Sequence, residues 1–198
     1  MRVLIGCEFS GVVRDAFIRK GHDAISCDLL SSEKDGPHYQ GNIFDLWGMK
    51  IDMLIVHWPC TYLANSGVRW LRTEKGRLNK MIDSAESFRL LLHWPCKYIA
   101  IENPIPHGYA LKIIGRKYDQ IIQPYMFGHG ETKATCLWLK NLPFLIPTDI
   151  VEGRYGRIWR EPPSKDRWKN RSRTYTGIAD AMASQWGIKR SGKNGLCG

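Results

Sequence analysis

The sequence lacks the features that mark membrane-spanning, secreted and zinc-binding proteins. Its apolar runs fall short of the roughly 18 residues that a membrane-spanning helix needs. The first residues, MRVLIG, have neither the long apolar stretch nor the small-residue cleavage site of a signal peptide. The six cysteines form no CxxC pair, and their spacings match no zinc module. We therefore expect a cytoplasmic protein with reduced thiols, no bound metal and no membrane partner.

Acidic residues are scarce relative to basic ones. The chain has 19 aspartates and glutamates against 29 lysines and arginines, a formal net charge of +10. This balance favours a polyanionic partner, nucleic acid first, although a basic surface can also serve solubility alone. Cations alternate with aromatic residues between positions 154 and 173, a mixture suited to phosphate contacts and base stacking. This basic segment contains Arg154, Arg157, Arg160, Lys165, Arg167, Lys169, Arg171 and Arg173, with Tyr155, Trp159 and Trp168.

Internal repeats and low-complexity blocks are also absent. A chain of 198 residues with 43% hydrophobic content suits one globular domain with a core of its own. We expect residues 1–188 to form this domain, with a basic insertion around residues 150–175 and a disordered tail at 189–198.

Apolar runs typical of buried strands alternate with stretches of helical periodicity. This alternation predicts an α/β fold with a doubly wound, mostly parallel sheet of about seven strands. Residues 61–79 are polar and basic, and we expect them to form an irregular loop. The predicted strands are Arg2–Phe9, His22–Asp28, a short strand ending at Gly41–Ile43, Ile51–Val56, Lys97–Ile101, Gln120–Gln123 and Thr135–Leu139. The predicted helices lie at 11–20, 81–92, 109–114 and 178–186.

Two short motifs directly follow the fourth and fifth predicted strands. They are Trp58-Pro59-Cys60 and Glu102-Asn103-Pro104. Because the carboxyl ends of neighbouring parallel strands meet at one crevice, a thiol and a carboxyl would share a pocket. This pair suits nucleophilic attack on an electron-poor ring, with an acid to polarise the ring. Cys96 also follows a Trp-Pro pair but precedes a strand, so it should lie at the opposite end of the sheet.

Each member of this pair also has a simpler explanation. Cys60 can be an inert, partly buried thiol, and Glu102 can be a carboxylate paired with an arginine. If Glu102 has no partner, burial should raise its pKa and let it donate a proton to a ring nitrogen. His57 is a candidate general base or a structural residue at a strand end.

A tight turn and an acid follow the first two strands. Gly11 in Phe9-Ser10-Gly11 leaves room for a ligand near the helix start, and Ser10 can cap that helix. Asp28 can accept hydrogen bonds from ribose hydroxyls, as acids at this position do in nucleotide-binding folds. Phe9-Ser10-Gly11 can instead be an ordinary strand-to-helix turn, and Asp28 can be a helix cap or a solvated acid. The order of the two along the chain nevertheless favours an adenosine-type ligand.

These residues together resemble the motifs of the DNA cytosine-5 methyltransferases, in particular short phage or prophage-type members. Phe9-Ser10-Gly11 resembles the Phe-x-Gly motif that binds S-adenosyl-L-methionine, and Asp28 matches the acid that holds the ribose. Gly41-Asn42-Ile43 resembles Gly-Asp-Ile, which contacts adenine. Pro59-Cys60 matches the Pro-Cys nucleophile, and Glu102-Asn103 matches Glu-Asn. The match spans residues 3–186 and ends in a weak likeness of Gly177–Met182 to the closing motif.

The resemblance implies a Rossmann-like methyltransferase fold and assigns a site. Methyl transfer to C5 of cytosine would proceed through a covalent bond between Cys60 and C6, in a base taken out of the stack. The implied catalytic residues are Cys60, Glu102 and Asn103. The implied S-adenosyl-L-methionine contacts are Gly6, Glu8, Phe9, Ser10, Gly11, Asp28, Asn42, Ile43 and Pro59. The expected DNA contacts are Lys133, Thr135, Arg167, Arg171 and Arg173.

Four departures from the family pattern stand out. Trp58 replaces the first proline of Pro-Pro-Cys, and Asn42 replaces an acid. Lys133-Ala134-Thr135 stands where the family has Arg-x-Arg. Only residues 140–174 separate the seventh strand from the closing helix, so the large target-recognition domain is missing and little or only short sequence specificity is expected.

Three other functions remain open. Amino-directed DNA methyltransferases use (Asp/Asn/Ser)-Pro-Pro-aromatic, which Asn103-Pro104-Ile105-Pro106 does not match. The chain could methylate free cytidine nucleotides, or bind nucleic acid as a degenerate relative without activity. The expected partner is DNA, single- or double-stranded, in the host cytoplasm if the gene belongs to a phage. The sequence does not determine the oligomeric state.

Overall fold

The computed structural model describes residues 1–187. The predicted tail at 189–198, including Cys197, lies outside the described residues. Within the described part, no helix has the length and apolar character needed to cross a bilayer.

Seven strands form one sheet in the order β3-β2-β1-β4-β5-β7-β6. The first five pair in parallel, whereas β7 runs antiparallel to both β5 and β6. The predicted doubly wound, mostly parallel sheet of about seven strands is therefore confirmed. The strands are β1 Arg2–Gly6, β2 Asp23–Asp28, β3 His38–Gln40, β4 Met53–His57, β5 Tyr98–Pro104, β6 Gln120–Ile122 and β7 Thr135–Lys140.

Helices cover both faces of the sheet because the central strands are apolar on both sides. Val3 and Ile5 of β1 pack towards α1 and α6, whereas Leu4 packs towards α2 and α3. The helices are α1 Val12–Arg19, α2 Arg77–Leu91, α3 Gly108–Ile114, α4 Arg157–Arg160, α5 Arg167–Ser172 and α6 Thr176–Trp186. Three short 3-10 helices span Ile43–Leu46, Asn65–Leu71 and Pro124–Met126.

Several predicted boundaries were wrong. Strand β1 ends at Gly6 rather than Phe9, because Cys7 adopts a left-handed backbone with φ of 56°. Asn42 and Ile43 do not end the third strand: the Asn42 side chain caps a 3-10 helix, with Asp45 completing a capping box. Part of the predicted loop at 61–79 is helical, since Asn65–Leu71 forms a 3-10 helix and α2 begins at Arg77.

Glu102 lies within β5 rather than after it. The antiparallel strand β7 extends the pairing, matching Glu102 with Leu137, Asn103 with Cys136 and Pro104 with Thr135. A carboxylate and an amide are thereby held on a regular, buried strand.

Candidate active site

The ends of β4 and β5 bring the predicted nucleophile and acid to one edge of the sheet. His57, the last residue of β4, pairs in register with Glu102 of β5. Cys60 follows His57 in the loop at the same edge. Cys96 precedes β5 and so lies at the opposite end of the sheet, as expected. The two motifs therefore meet where the sequence predicted.

The loop before Cys60 is held by two hydrogen bonds from buried or half-buried side chains. The fully buried Asn103 donates from its amide to the Trp58 carbonyl at 2.7 Å. The Trp58 indole N–H donates to Ser84 Oγ of α2 at 3.0 Å. Asn103 thus contacts the Pro-Cys loop, and Trp58, which stands where the family has proline, ties the same loop to α2.

The segment after Cys60 is held as well. Arg77 at the start of α2 donates to the Thr61 carbonyl at 2.9 Å. The His107 backbone N–H donates to the Leu63 carbonyl at 3.0 Å, which joins this segment to the chain that leaves β5. Cys60 therefore lies in a loop whose backbone is held by hydrogen bonds both before and after the cysteine.

The Cys60 residue is exposed, although neighbouring atoms crowd its sulfur. This partial loss of hydration is the main reason why the pKa of the Cys60 thiol is raised, and the negative charge of Glu102 adds to it. The positive charges of Lys133 and Arg171 act to lower the pKa. All three charged side chains are thus close enough to influence the sulfur.

The expected rise in the Glu102 pKa was wrong. Burial does act to raise it, but a hydrogen bond from His57 and the charges of Lys133 and His57 together lower the pKa. The His57 Nδ1 lies 2.8 Å from Glu102 Oε2, and the Glu102 side chain is only 13% exposed. The partner of Glu102 is a histidine on the neighbouring strand, and neither the unpaired state nor the arginine pair that the sequence suggested occurs.

A cavity of about 300 Å³ lies at the ends of β1 and β2 and reaches the Cys60 loop. Four of the expected cofactor residues line it: Asp28, Asn42, Ile43 and Pro59. The Asp28 carboxylate accepts from the Leu30 N–H at 3.0 Å, and burial raises its pKa. Other lining residues, which sequence reasoning did not assign, include Cys7, Cys27, Phe44, Trp58 and Ser87.

The β1–α1 turn is arranged differently from the expectation. The N-cap of α1 is Gly11 rather than Ser10, although the Ser10 hydroxyl accepts from the Val12 N–H at 3.4 Å. The buried Glu8 carboxylate instead accepts from the Val13 N–H at 2.6 Å and the Arg14 N–H at 3.3 Å. These amides are therefore occupied by the protein itself. The expected cofactor residues Gly6, Glu8, Phe9, Ser10 and Gly11 do not line the 300 Å³ cavity.

Lys133 and Thr135, which were expected to contact DNA, lie beside Glu102. Both line a second, small cavity of about 10 Å³ together with His57 and Glu102. The Thr135 hydroxyl is buried and donates to the Lys133 carbonyl at 3.1 Å. Lys133 is therefore a cation that acts on both the Cys60 thiol and the Glu102 carboxyl.

The three arginines expected to contact DNA differ in their surroundings. Arg173 binds Glu33 through two nitrogens, at 2.5 and 2.8 Å, and lies over the Phe9 ring. Arg167 donates to the Glu161 carbonyl at 2.7 Å. Within residues 1–187, Arg171 forms no ion pair. Arg173 therefore fastens the basic segment to the loop after β2.

Sequence reasoning also missed Arg14, a buried residue that holds the loop after β2. Arg14 of α1 is fully buried and donates to Ser26, Ser32 and the carbonyls of Lys34 and Asp35. These bonds hold the loop that follows Asp28. An arginine on the polar side of a predicted helix gives no signal of this kind, because its partners come from a distant segment.

No protein-family model matches this sequence, and no curated protein matches it in sequence. Solved structures are similar to it at low identity. One, a protein described as a DNA modification methyltransferase encoded within an E. coli prophage, is 14% identical, with 77% of this chain and 52% of that chain covered and a TM-score of 0.49. The Entamoeba histolytica methyltransferase EhMeth is 15% identical, with 83% and 60% covered and a TM-score of 0.48. The S. pombe Dnmt2 methyltransferase is 13% identical, with 81% and 54% covered and a TM-score of 0.46. This chain thus spans 52 to 60% of the length of the three proteins.

Proposed function

We propose that this chain is a short DNA cytosine-5 methyltransferase, which uses S-adenosyl-L-methionine and acts with little or short sequence specificity. One observation carries the proposal: an exposed thiol, Cys60, and a buried carboxyl, Glu102, lie at one sheet edge beside a cavity lined by Asp28. The order of these groups along the chain and in space suits methyl transfer to a pyrimidine ring.

The 300 Å³ cavity suits the adenosine part of S-adenosyl-L-methionine. Its volume falls within the range of small-molecule sites, and its lining is mostly apolar with a few polar groups. The Asp28 carboxylate is available for ribose hydroxyls, and Ile43 and Phe44 offer apolar contact to a purine. When bound there, S-adenosyl-L-methionine supplies an electrophilic methyl group. Pro59 joins this cavity to the loop that carries the nucleophile.

The remaining chemistry belongs to the residues of the chain. The Cys60 thiolate attacks C6 of cytosine, while Glu102 donates a proton to N3, so that electron density moves to C5. C5 then accepts the methyl group, the C5 proton leaves to a base, and the C6–S bond breaks. Asn103 keeps the Cys60 loop in place through the Trp58 carbonyl.

The basic segment is proposed to bind the phosphates near the target base. Arg171 influences the Cys60 sulfur electrostatically, so a phosphate that it binds would lie close to the site of attack. In duplex DNA the cytosine must leave the stack before it reaches Cys60. Few residues are available to read base edges, since 140–174 is the whole insertion before the closing helix.

The proposal is tested by incubating the protein with DNA and tritiated S-adenosyl-L-methionine, followed by nucleoside analysis. Label in 5-methyl-2′-deoxycytidine is the expected result. Cys60→Ala should abolish transfer while keeping cofactor affinity, whereas Cys96→Ala, the matched control at the opposite end of the sheet, should retain it. DNA that contains 5-fluorocytosine should form a covalent adduct with the wild type, because fluorine at C5 blocks the final elimination.

Other outcomes identify the alternatives. Label in N4-methylcytosine or N6-methyladenine would assign amino-directed chemistry, and activity on dCMP but not DNA would assign a nucleotide substrate. Salt-sensitive DNA binding with no transfer at all would identify a binding protein without activity. An unchanged methylation rate in Cys60→Ala would refute the covalent mechanism.

A further inference from the structure

His57 is a buried imidazole at the centre of the proposed site. It ends β4, and its side chain is 6% exposed. Nδ1 lies 2.8 Å from Glu102 Oε2 and 3.4 Å from Thr174 Oγ1. Nε2 is buried and, among the described residues, has no hydrogen-bond partner. Burial without a second partner is costly, so the position of this side chain calls for an explanation.

The hydrogen bond has a defined direction. Interactions with His57 and Lys133 lower the Glu102 pKa, so the carboxyl is ionised near neutral pH. A carboxylate can only accept hydrogen bonds, and therefore His57 Nδ1 carries the hydrogen. One oxygen of Glu102 is thereby held, and the other remains for a ligand.

The surroundings of His57 are charged and come from three segments. Glu8 approaches from the β1–α1 turn, Glu102 from β5 and Lys133 from the segment before β7. Thr174 and Tyr175 border the same small cavity. Glu8 is already bound to the α1 amides, so among the two acids only Glu102 makes a hydrogen bond to His57.

We propose that His57 is a positioning residue for Glu102: its Nδ1–H holds one carboxyl oxygen and stabilises the carboxylate that forms when Glu102 gives its proton to cytosine N3. This inference rests on the proposed function. In that step the Glu102 O–H bond breaks, the N3–H bond forms, and the electron pair stays on the carboxylate. The proton returns to Glu102 when the C6–S bond breaks.

The test compares three substitutions. His57→Asn keeps an N–H donor at the position of Nδ1, His57→Gln places its amide where Nε2 lies, and His57→Ala removes both. We expect kcat to fall by about tenfold or more in His57→Ala and His57→Gln, and to stay within about threefold in His57→Asn. KM for S-adenosyl-L-methionine should stay within about twofold in all three variants. If His57→Ala does not fold, the comparison of Asn with Gln decides.

A second measurement separates positioning from a purely structural role. The Glu102 carboxyl can be titrated by 13C NMR in protein labelled at glutamate side chains, with Glu102→Gln to assign its signal. The Glu102 pKa should rise in His57→Ala and His57→Gln, and rise least in His57→Asn. Equal kcat in the Asn and Gln variants, or a Glu102 titration that no variant moves, would overturn the inference. If the wild type transfers no methyl group, the proposed function fails, and the titration still reports on the His57–Glu102 contact.

Discussion

At the scale of single residues, the proposed site combines a thiol whose pKa is raised with a carboxyl whose pKa is lowered. Near neutral pH the resting pair is therefore a Cys60 thiol and a Glu102 carboxylate. The reaction needs the opposite distribution, a thiolate and a protonated acid. Both distributions hold one proton between the two side chains. Substrate binding therefore has to move that proton from the Cys60 sulfur to Glu102 or to cytosine N3, and no proton has to be taken from or given to solvent.

The raised pKa of the Cys60 thiol predicts how fast it is alkylated. Because the thiolate is the nucleophile, alkylation by iodoacetamide should keep rising with pH beyond about 8.5, the ordinary pKa of a cysteine. Lys133→Ala removes a charge that lowers this pKa, so the inflection should move to higher pH. Mass spectrometry of the Cys60 peptide measures the rate. Lys97→Ala, at the other end of β5, is the control and should leave the inflection in place. A rate that levels off below pH 8 would contradict the prediction.

At the scale of the elements, two features determine how the closing helix and the basic segment join the sheet. The start of α6 is bound to the loop after β6, because His129 Nε2 accepts from the Gly177 N–H at 3.1 Å. The basic segment is held through the Arg173–Glu33 pair, and Trp168 lies 6.1 Å from the Phe9 ring.

Gly177 should tolerate no side chain. A Cβ there would lie 1.9 Å from the Phe127 carbonyl oxygen, which belongs to backbone and cannot swing away. We expect Gly177→Ala to lower the free energy of unfolding by about 1–3 kcal/mol, measured by urea denaturation. Gly108→Ala is the matched control at the start of α3, where a Cβ meets nothing within 4 Å. That variant should be neutral or slightly more stable. Equal midpoints for the two variants would contradict the structure of the α6 junction.

Arg171 and Arg157 should respond differently in DNA binding. Arg171 has no ion pair within residues 1–187, whereas Arg157 binds both Glu131 oxygens at 3.0 and 3.1 Å. Arg171→Ala should reduce the slope of log K against log salt by about 1, because one phosphate contact is lost. Arg157→Ala should leave the slope unchanged and lower stability instead. Fluorescence anisotropy across a salt series measures both, and identical slopes in the two variants would show that the basic segment contacts DNA in another way.

At the scale of the whole molecule, the chain carries a strong positive charge, and its sheet has a cavity at one edge. The net charge of +10 suits a polyanion, and the cavity at the ends of β1 and β2 suits a nucleotide-like ligand. The cavity lies at the carboxyl edge of the parallel strands, where doubly wound sheets bind ligands.

A ligand that binds only the folded chain should stabilise it as a whole. S-adenosyl-L-methionine at 100 times its Kd should add about 2.7 kcal/mol, which raises Tm by roughly 5–10 °C for a chain of this size. Asp28→Asn should weaken the affinity by about tenfold, because a charged acceptor is lost. Asp23→Asn, at the exposed start of the same strand, is the control. A Tm shift that Asp28→Asn leaves unaltered would remove Asp28 from the cofactor site.

The sequence by itself determined the sheet and the edge on which the site lies. Apolar runs such as Ile51–Val56 indicated buried strands, and the Trp58-Pro59-Cys60 and Glu102-Asn103 motifs lie at or near the ends of two of them. Since neighbouring parallel strands end together, local pattern was enough to place the thiol and the carboxyl at one edge.

Only the tertiary structure decided how the groups at that edge are paired. Glu8 binds the start of α1, Arg173 binds Glu33, and His57 binds Glu102, which reverses the direction expected for the Glu102 pKa. Each of these contacts joins segments whose separation along the chain carries no periodic signal. The charge state of a buried group depends on the partners within a few ångströms, and the packing of the whole sheet determines those partners.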